Sequence, residues 1–133
     1  MNIWVADTNI FLRFLLADVS EQHKATLDLF ERAKLREITV YVCSAIMFEL
    51  DYALSKYYKF ERADIVEAMG RIIRIPYFEI EDRDAFQAAL VLYGKTNFDL
   101  VDCFLLAKAG LLEGNILSFD KKLVGLAKKQ QEG

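Results

Sequence analysis

The sequence is short of the residues that most catalytic and cofactor sites use. It has one histidine, His23, in a polar stretch, and two cysteines, Cys43 and Cys103, in apolar runs with no metal-ligand neighbour. A Ser–His–Asp site, a Cys–His site or a zinc site is therefore not expected. The six glycines form no phosphate-binding loop of the P-loop or dinucleotide type. We expect His23 to face solvent and both cysteines to be small buried hydrophobes in a reducing compartment.

Long apolar runs and an excess of positive charge are also missing. The longest uncharged run, residues 38–48, has 11 residues, whereas a membrane span needs about 20. No basic leader precedes the first apolar segment, so a signal peptide is not expected. With 17 Lys and Arg against 20 Asp and Glu, the chain lacks the basic balance typical of broad duplex binding. These features predict a cytoplasmic protein without membrane contact, and they leave room for a nucleic acid held by metal ions and a local basic patch.

The sequence does contain alternating strand-like and helix-like segments. Its 133 residues, 54% of them hydrophobic, are the size of one domain, which we expect to span residues 1–133. Because strands that alternate with helices favour parallel pairing, we expect an α/β fold: a three-layer α/β/α sandwich with a small central parallel sheet of four or five strands. Strands are predicted at residues 2–6 (buried), 38–43, 77–80 and 115–119, and helices at 8–17, from 20 onward, 44–58, 61–74, 84–95, 99–112 and 120–129.

Five acidic residues lie directly after a predicted strand or in the first two turns of a predicted helix. Asp7 and Asp120 directly follow the first and last strands, and Glu49 lies in the helix after the second. Asp99 and Asp102 share the first turn of the helix before the last strand. Sites in open parallel sheets lie at the carboxyl ends of the strands, so we expect these acids to meet. A structural alternative stays open, because Asp at a helix start caps free backbone N–H groups.

Glu49 is harder to explain as a structural residue, because it interrupts an apolar helix face. A charge on such a face is costly unless it is paired or holds a metal, although Asp51 in the same helix leaves the choice between the two acids open. Several carboxylates at one spot repel each other unless cations neutralise them. Oxygen-only ligands suit Mg²⁺ or Mn²⁺, and such a cluster is typical of phosphoryl or phosphodiester chemistry. The apolar face that Glu49 interrupts consists of the residues three and four positions away in the helix, Ala45, Ile46, Tyr52 and Ala53.

Four segments in order carry a resemblance to a known family. They are a strand followed by Asp7-Thr8-Asn9 and IFLRFLL, then CSAIMFELDYAL, FDLVDCFLLAKA and ILSFDKKL. Over about residues 2–123 the chain resembles the PIN-domain ribonucleases, and within them the toxin component of VapBC-type toxin–antitoxin pairs. The motif acids of that family fall on Asp7, on Glu49 rather than Asp51, on Asp102 with Asp99 nearby, and on Asp120 with Ser118 two residues ahead.

The resemblance implies an endonuclease that depends on Mg²⁺ or Mn²⁺, acts on RNA and leaves a 5′ phosphate. It also implies a homodimer and a VapB-like antitoxin that blocks the site. Our hypothesis is that Asp7, Glu49 and Asp102 contact the principal ion, while Asp120 holds it through water or helps to bind a second ion. Asp99 is a fifth candidate ligand. The residues expected to fix these carboxylates by hydrogen bonds, with ordinary capping as the alternative, are Thr8, Asn9 and Ser118.

An acidic site needs nearby cations to attract RNA. Lys56 and Lys59 flank Tyr57 and Tyr58, an arrangement in which aromatic rings beside cations stack on unpaired bases. The alternative is a solvated helix end. The basic residues predicted to contact RNA are Arg13, Lys56, Lys121 and Lys122.

Other functions remain open alternatives. A receiver-like phospho-acceptor domain needs a lysine at the end of a late strand, where this chain has Ser118-Phe119-Asp120. A haloacid-dehalogenase-type phosphatase needs a second Asp where this chain has Asn9. A PIN nuclease of RNA processing that is not a toxin, and a non-catalytic PIN-like interaction module in which the acids only cap helices, are the closer rivals.

Overall fold

The computed structural model describes residues 2–132, and the chain divides into two units at the junction of Asp82 and Arg83. The first unit is built on a parallel sheet with the strand order β1-β2-β3. In its register Trp4 lies opposite Val40, and Val42 lies opposite Ile80. Because all three strands run the same way, their carboxyl ends share one edge. The strands are β1 (Ile3–Val5), β2 (Thr39–Val42) and β3 (Glu79–Ile80).

The prediction of four or five strands is wrong for residues 2–132, in which the sheet has three. The predicted strand at 115–119 does not form, and Leu117 and Phe119 in it are fully exposed. Its composition favours a strand, but a strand also needs a hydrogen-bonding neighbour, which local sequence cannot supply. The prediction that the first strand is buried is also wrong. β1 is an edge of the sheet, and the exposed fractions of its side chains are 52% for Ile3, 51% for Trp4 and 67% for Val5.

The described part of the first unit, residues 2–82, also contains four helices. Their bounds lie within two residues of the predicted ones where both ends were predicted. Local hydrogen bonds explain several of these bounds. Asp7 caps the first helix, and Glu61 and Asp64 form a reciprocal capping box at the start of the fourth. Ser44, predicted as a cap, is instead the first residue of its helix, and Cys43 holds the cap position. The helices are α1 (Thr8–Leu16), α2 (Ser20–Lys34), α3 (Ser44–Lys56) and α4 (Arg62–Ile73).

An aromatic cluster fixes α1 and α2 against the segment that leads into β3. The Phe30 ring lies 4.8 Å from Phe78 and 6.2 Å from Phe11, measured between centroids. All three rings are at most 5% exposed. Pairs of this kind add about 0.5–1.5 kcal/mol each beyond the apolar area that they bury. The cluster therefore holds the start of α1, and with it Asp7, in a defined position.

Within residues 83–132, the second unit contains three helices, α5 (Arg83–Lys95), α6 (Leu100–Leu111) and α7 (Lys121–Glu132). Phe86 and Phe104 join the first two, with 4.7 Å between ring centroids. Leu106 packs with Leu123 and Ala127 of α7, and Ile116 is partly buried against them. Cys103 is buried as predicted, whereas Cys43 in the first unit is only partly buried. Among residues 2–132, no helix is both long enough and apolar enough to cross a membrane.

Candidate functional site

Asp7 and Glu49 line the same cleft of the first unit. The cleft has a volume of about 560 Å³, and α1 and α3 provide most of its walls. Asp7 stands where β1 has ended and α1 begins, and its Oδ1 accepts a hydrogen bond from the Ile10 backbone N–H at 3.2 Å. Both carboxylate side chains are exposed. The structure thus brings together two of the acids that the sequence singled out.

The apolar helix face that Glu49 interrupts is a wall of this cleft. Ile46, Tyr52 and Ala53 line the cleft beside Glu49, so the charge meets solvent and is not enclosed in the core. Asp51 is not among the residues that line the cleft. Of the two acids in α3, Glu49 is therefore the one that faces the same space as Asp7.

Thr8 and Asn9, predicted to support the carboxylates, also line this cleft. Thr8 is buried, and its hydroxyl oxygen has no hydrogen-bond partner among residues 2–132. A buried polar atom without a partner costs about 1–3 kcal/mol. The Thr8 hydroxyl beside Asp7 is thus available to a ligand or to a water molecule that a ligand orders.

The other three acids lie in the second unit, and two of them cap helices. Asp99 Oδ1 accepts from the Asp102 backbone N–H at 2.9 Å. Asp120 Oδ1 accepts from the backbone N–H groups of Lys122 at 3.0 Å and Leu123 at 3.2 Å. Ser118 Oγ accepts from the Asp120 backbone N–H at 2.9 Å, so its hydroxyl oxygen fixes the backbone of Asp120. The capping role considered for Asp99 and Asp120 is real, and it uses one oxygen of each carboxylate.

The surroundings of Asp102 disfavour its negative charge. Partial burial raises the pKa of its carboxyl group, and the nearby carboxylates of Asp99 and Asp120 raise that pKa further. These three side chains are therefore close enough to influence one another. A bound cation would offset both effects, because it would replace lost solvation and neutralise the mutual repulsion.

A complete metal-binding group is not formed by the described side chains. Within residues 2–132, no three His, Cys, Asp or Glu side chains are arranged so that they could hold a metal ion. The structure pairs Asp7 with Glu49 in one unit and gathers Asp99, Asp102 and Asp120 in the other. A site that uses all five acids remains a prediction.

The predicted RNA-contacting cations differ in solvent exposure and in the internal partners that they have. The Arg13 guanidinium is mostly buried, pairs with Asp18 at 2.9 Å and donates to the Tyr58 hydroxyl at 3.3 Å. Lys56, Lys121 and Lys122 are exposed. Arg13 is therefore held by internal partners, whereas the three lysines reach solvent.

His23 is not solvent-facing as predicted. Its Nδ1 lies 2.9 Å from the Arg13 carbonyl oxygen, and its side chain is partly buried. Because a carbonyl only accepts, Nδ1 carries the proton in this contact.

Sequence reasoning missed two contributors to this region. Tyr52 lines the cleft with Asp7 and Glu49, and the available signal was its position three residues after Glu49, on the same helix face. Glu81 follows β3 at the shared strand edge. Its carboxylate accepts from the Ser44 backbone N–H and from the Tyr41 hydroxyl, both at 2.8 Å. Glu81 thereby anchors the start of the helix that carries Glu49.

Comparison with known proteins identifies the class. The sequence profile of the PIN domain matches residues 4–129, and the chain therefore belongs to the PIN-domain family. It is also similar to the VapC ribonuclease of Aquifex aeolicus (strain VF5), with 29% identity over 126 residues that cover 92% of this chain and 91% of that protein. No solved structure gives a significant match. These matches confirm the resemblance that the four sequence motifs indicated.

Proposed function

We propose that this protein is a metal-dependent endoribonuclease that hydrolyses phosphodiester bonds in RNA, and that it is the toxin of a VapBC-type toxin–antitoxin pair. The observation that carries the proposal is the shared cleft of Asp7 and Glu49. Membership of the PIN-domain family and the similarity to a VapC ribonuclease support it. We further propose that residues 1–133 act as one nuclease domain in the cytoplasm.

The donor set fits Mg²⁺ or Mn²⁺. Carboxylate oxygens are the ligands that these ions prefer, the Thr8 hydroxyl is unpaired beside Asp7, and the raised pKa of Asp102 reflects charge that a cation would neutralise. When bound, such an ion would activate water and stabilise the leaving oxygen of the phosphodiester. The residues that would hold it are Asp7, Glu49, Asp102 and Asp120, with Asp99 as a further candidate.

The chain's own residues have distinct tasks in this proposal. The capping hydrogen bonds of Asp7 and Asp120 fix their Oδ1 atoms, so each carboxylate is oriented before a ligand arrives. The exposed Lys121 and Lys122 directly follow Asp120 and would bring RNA phosphates towards the acidic region by charge attraction. Arg13 would act indirectly, by holding the hydroxyl of Tyr58.

The partners are proposed from family likeness. A homodimer and a VapB-like antitoxin are what the resemblance to VapBC-type toxins implies, and the VapC ribonuclease of Aquifex aeolicus is the relative that supports it. A short neighbouring gene for a DNA-binding protein would support the toxin role. Its absence would favour a PIN nuclease of RNA processing.

Cleavage of single-stranded RNA tests the chemistry. The native protein should cleave with Mg²⁺ or Mn²⁺ and stop when EDTA is added, and Asp102→Asn should be inactive under both conditions. Equal cleavage by the native protein and Asp102→Asn would reject the site. A protein that binds partners without any metal-dependent cleavage would instead be the interaction module.

A further inference from the structure

We infer that the cleft of Asp7 and Glu49 contains a stacking subsite for one unpaired RNA base, formed by Tyr52 and Tyr57. The inference rests on the proposed function, because it names how the same site holds its substrate. Tyr52, Tyr57 and Tyr58 all line this cleft together with the two carboxylates. Its volume of about 560 Å³ is within the range of clefts that bind small ligands, about 300–1,000 Å³.

The rings of Tyr52 and Tyr57 form a corner in which a flat base can stack on one ring and meet the other edge-on. Their centroids are 6.0 Å apart and their planes meet at 84°, an edge-to-face contact. This contact holds the two rings in fixed relative positions but covers little of them, since Tyr52 is 51% exposed and Tyr57 is 66% exposed. Exposed aromatic faces in a cleft are the feature on which nucleic-acid bases stack.

The ammonium group of Lys56 lies beside the Tyr52 ring. Lys56 Nζ lies 5.2 Å from the centroid of the Tyr52 ring and donates to the Tyr52 hydroxyl at 2.7 Å. The lysine is exposed, so its ammonium group can also meet a backbone phosphate. Aromatic rings beside a cation match the two parts of a nucleotide, which are a flat base and an anionic phosphate.

The third tyrosine of the cleft, Tyr58, is held in place by a mostly buried arginine. Tyr58 accepts a hydrogen bond from Arg13, whose guanidinium also pairs with Asp18. The Arg13 side chain is only 14% exposed, so it is part of the framework of the first unit. Tyr58 thus forms a fixed wall of the cleft, while Tyr52 and Tyr57 provide the more exposed rings.

Stacking on a protein ring requires an unpaired base. A base within a duplex has both faces covered by its neighbours, so it cannot stack on a protein ring unless it leaves the helix. Because both rings line the cleft together with Asp7 and Glu49, a base held there lies in the same cleft as these two acids. Stacking accepts every base type, so this subsite selects unpaired strands and not a particular sequence.

Binding in EDTA tests the subsite without cleavage. The probe is a fluorescently labelled single-stranded oligoribonucleotide, and its affinity is measured by anisotropy for the native protein, Tyr57→Ala and Tyr52→Ala. Each alanine variant should weaken binding about 5- to 150-fold, because each removes one of the two aromatic contacts to the base. Tyr57→Trp, which keeps an aromatic face, should bind within about threefold of the native protein. The matched control is Tyr77→Ala, a tyrosine of the same unit outside this cleft, which should leave the affinity unchanged.

Two further probes separate stacking from charge attraction. A duplex of the same sequence and a single strand with abasic sites should both bind more weakly than the intact strand, and the tyrosine variants should remove that preference. Equal binding of all three probes, or unchanged affinity of Tyr52→Ala and Tyr57→Ala, would overturn the inference. Circular dichroism of each variant identifies a general loss of structure separately. Failure of the proposed function looks different, since the native protein would then bind the strand in EDTA and leave it uncut in Mg²⁺.

Discussion

The carboxylate of Asp99 holds the start of the helix that carries Asp102: its Oδ1 accepts a hydrogen bond from the Asp102 backbone N–H at 2.9 Å. The same pair is linked by charge, because the Asp99 carboxylate contributes to the raised pKa of Asp102. The hydrogen bond of Asp99 therefore stabilises the start of the helix, whereas its charge disfavours the ionised form of Asp102. Substitutions can separate the two effects, since asparagine caps a helix about as well as aspartate and carries no charge.

The first prediction concerns Asp99. Replacement by alanine removes the cap of α6 and should lower the free energy of unfolding by about 1 kcal/mol, whereas Asp99→Asn should leave it nearly unchanged. Urea unfolding followed by circular dichroism measures both. Asp28→Ala on the exposed part of α2 is the matched control and should cost little. If Asp99→Asn destabilises as much as Asp99→Ala, the hydrogen bond to Asp102 is not an effective cap.

The second prediction concerns Asp7. Asp7→Asn should keep the cap of α1, and so the stability, but should reduce metal-dependent RNA cleavage by more than about 100-fold, because even residues that only support metal ligands cost about 10–100-fold. Initial rates on a single-stranded RNA, with thermal unfolding of the same samples, check both parts. Asp18→Asn is a poor match as control because Asp18 pairs with Arg13. Glu79→Gln, at an exposed strand position, is better. Near-native cleavage by Asp7→Asn would remove this acid from the site.

The third prediction concerns metal binding and stability. Mg²⁺ or Mn²⁺ at about 100 times its dissociation constant should stabilise the native protein by about 2.7 kcal/mol, because a ligand that binds only the folded state shifts the folding equilibrium. The increase in Tm should be largely lost in Asp7→Asn and in Asp102→Asn. NaCl at the same ionic strength controls for general salt effects, because Na⁺ screens charges without the affinity of a divalent cation for carboxylates. An equal rise in Tm for the native protein and both variants would place any bound ion elsewhere.

The fourth prediction concerns Glu81 and pH. Hydrogen bonds from the Ser44 backbone N–H and the Tyr41 hydroxyl lower the pKa of this carboxyl group. A pKa that is lower in the folded state gives stability above the ordinary pKa, and that stability is lost as the pH falls through the lowered value. Glu81→Gln should therefore destabilise the protein at about pH 7, and the difference from the native protein should shrink towards about pH 3.

Urea unfolding over that pH range measures the Glu81 effect. Glu79→Gln, one register position before Ile80 in the same strand, should leave the free energy of unfolding at neutral pH nearly unchanged. A Glu81→Gln penalty that stays constant down to the acid limit would contradict a role for the carboxylate charge. It would leave only the shape of the side chain as the cause.

Local sequence was sufficient for the helices of this protein. Caps such as Asp7 and Glu61, and breaks such as Pro76, act on neighbouring residues, so helix bounds came out within a few positions. Strands were harder because their stability depends on distant partners. The segment around Leu117 has a strand-like composition and no strand in the structure, and β1 is exposed where its apolar sequence predicted burial.

The candidate site likewise has features that the sequence predicted and features that only the fold shows. Asp7, Glu49 and Asp102 were predicted from motif order and strand ends, and the structure places the first two in one cleft. The ring of Tyr52 could not be assigned to that cleft from sequence, because an aromatic residue on a helix face is as often a core residue. Arg13 was predicted to meet RNA, but only the fold reveals that Asp18 and Tyr58 already hold its guanidinium.

The open edge of the sheet has a practical consequence. Trp4 is the single tryptophan of the sequence, stands on β1 with half of its surface exposed, and donates its ring N–H to the Asn2 side chain. Because indole emission shifts to shorter wavelength when water is removed from the ring, the intrinsic fluorescence of the unlabelled protein reports on this one strand. The molecule thus carries its own optical probe for any event that covers the first edge of the sheet.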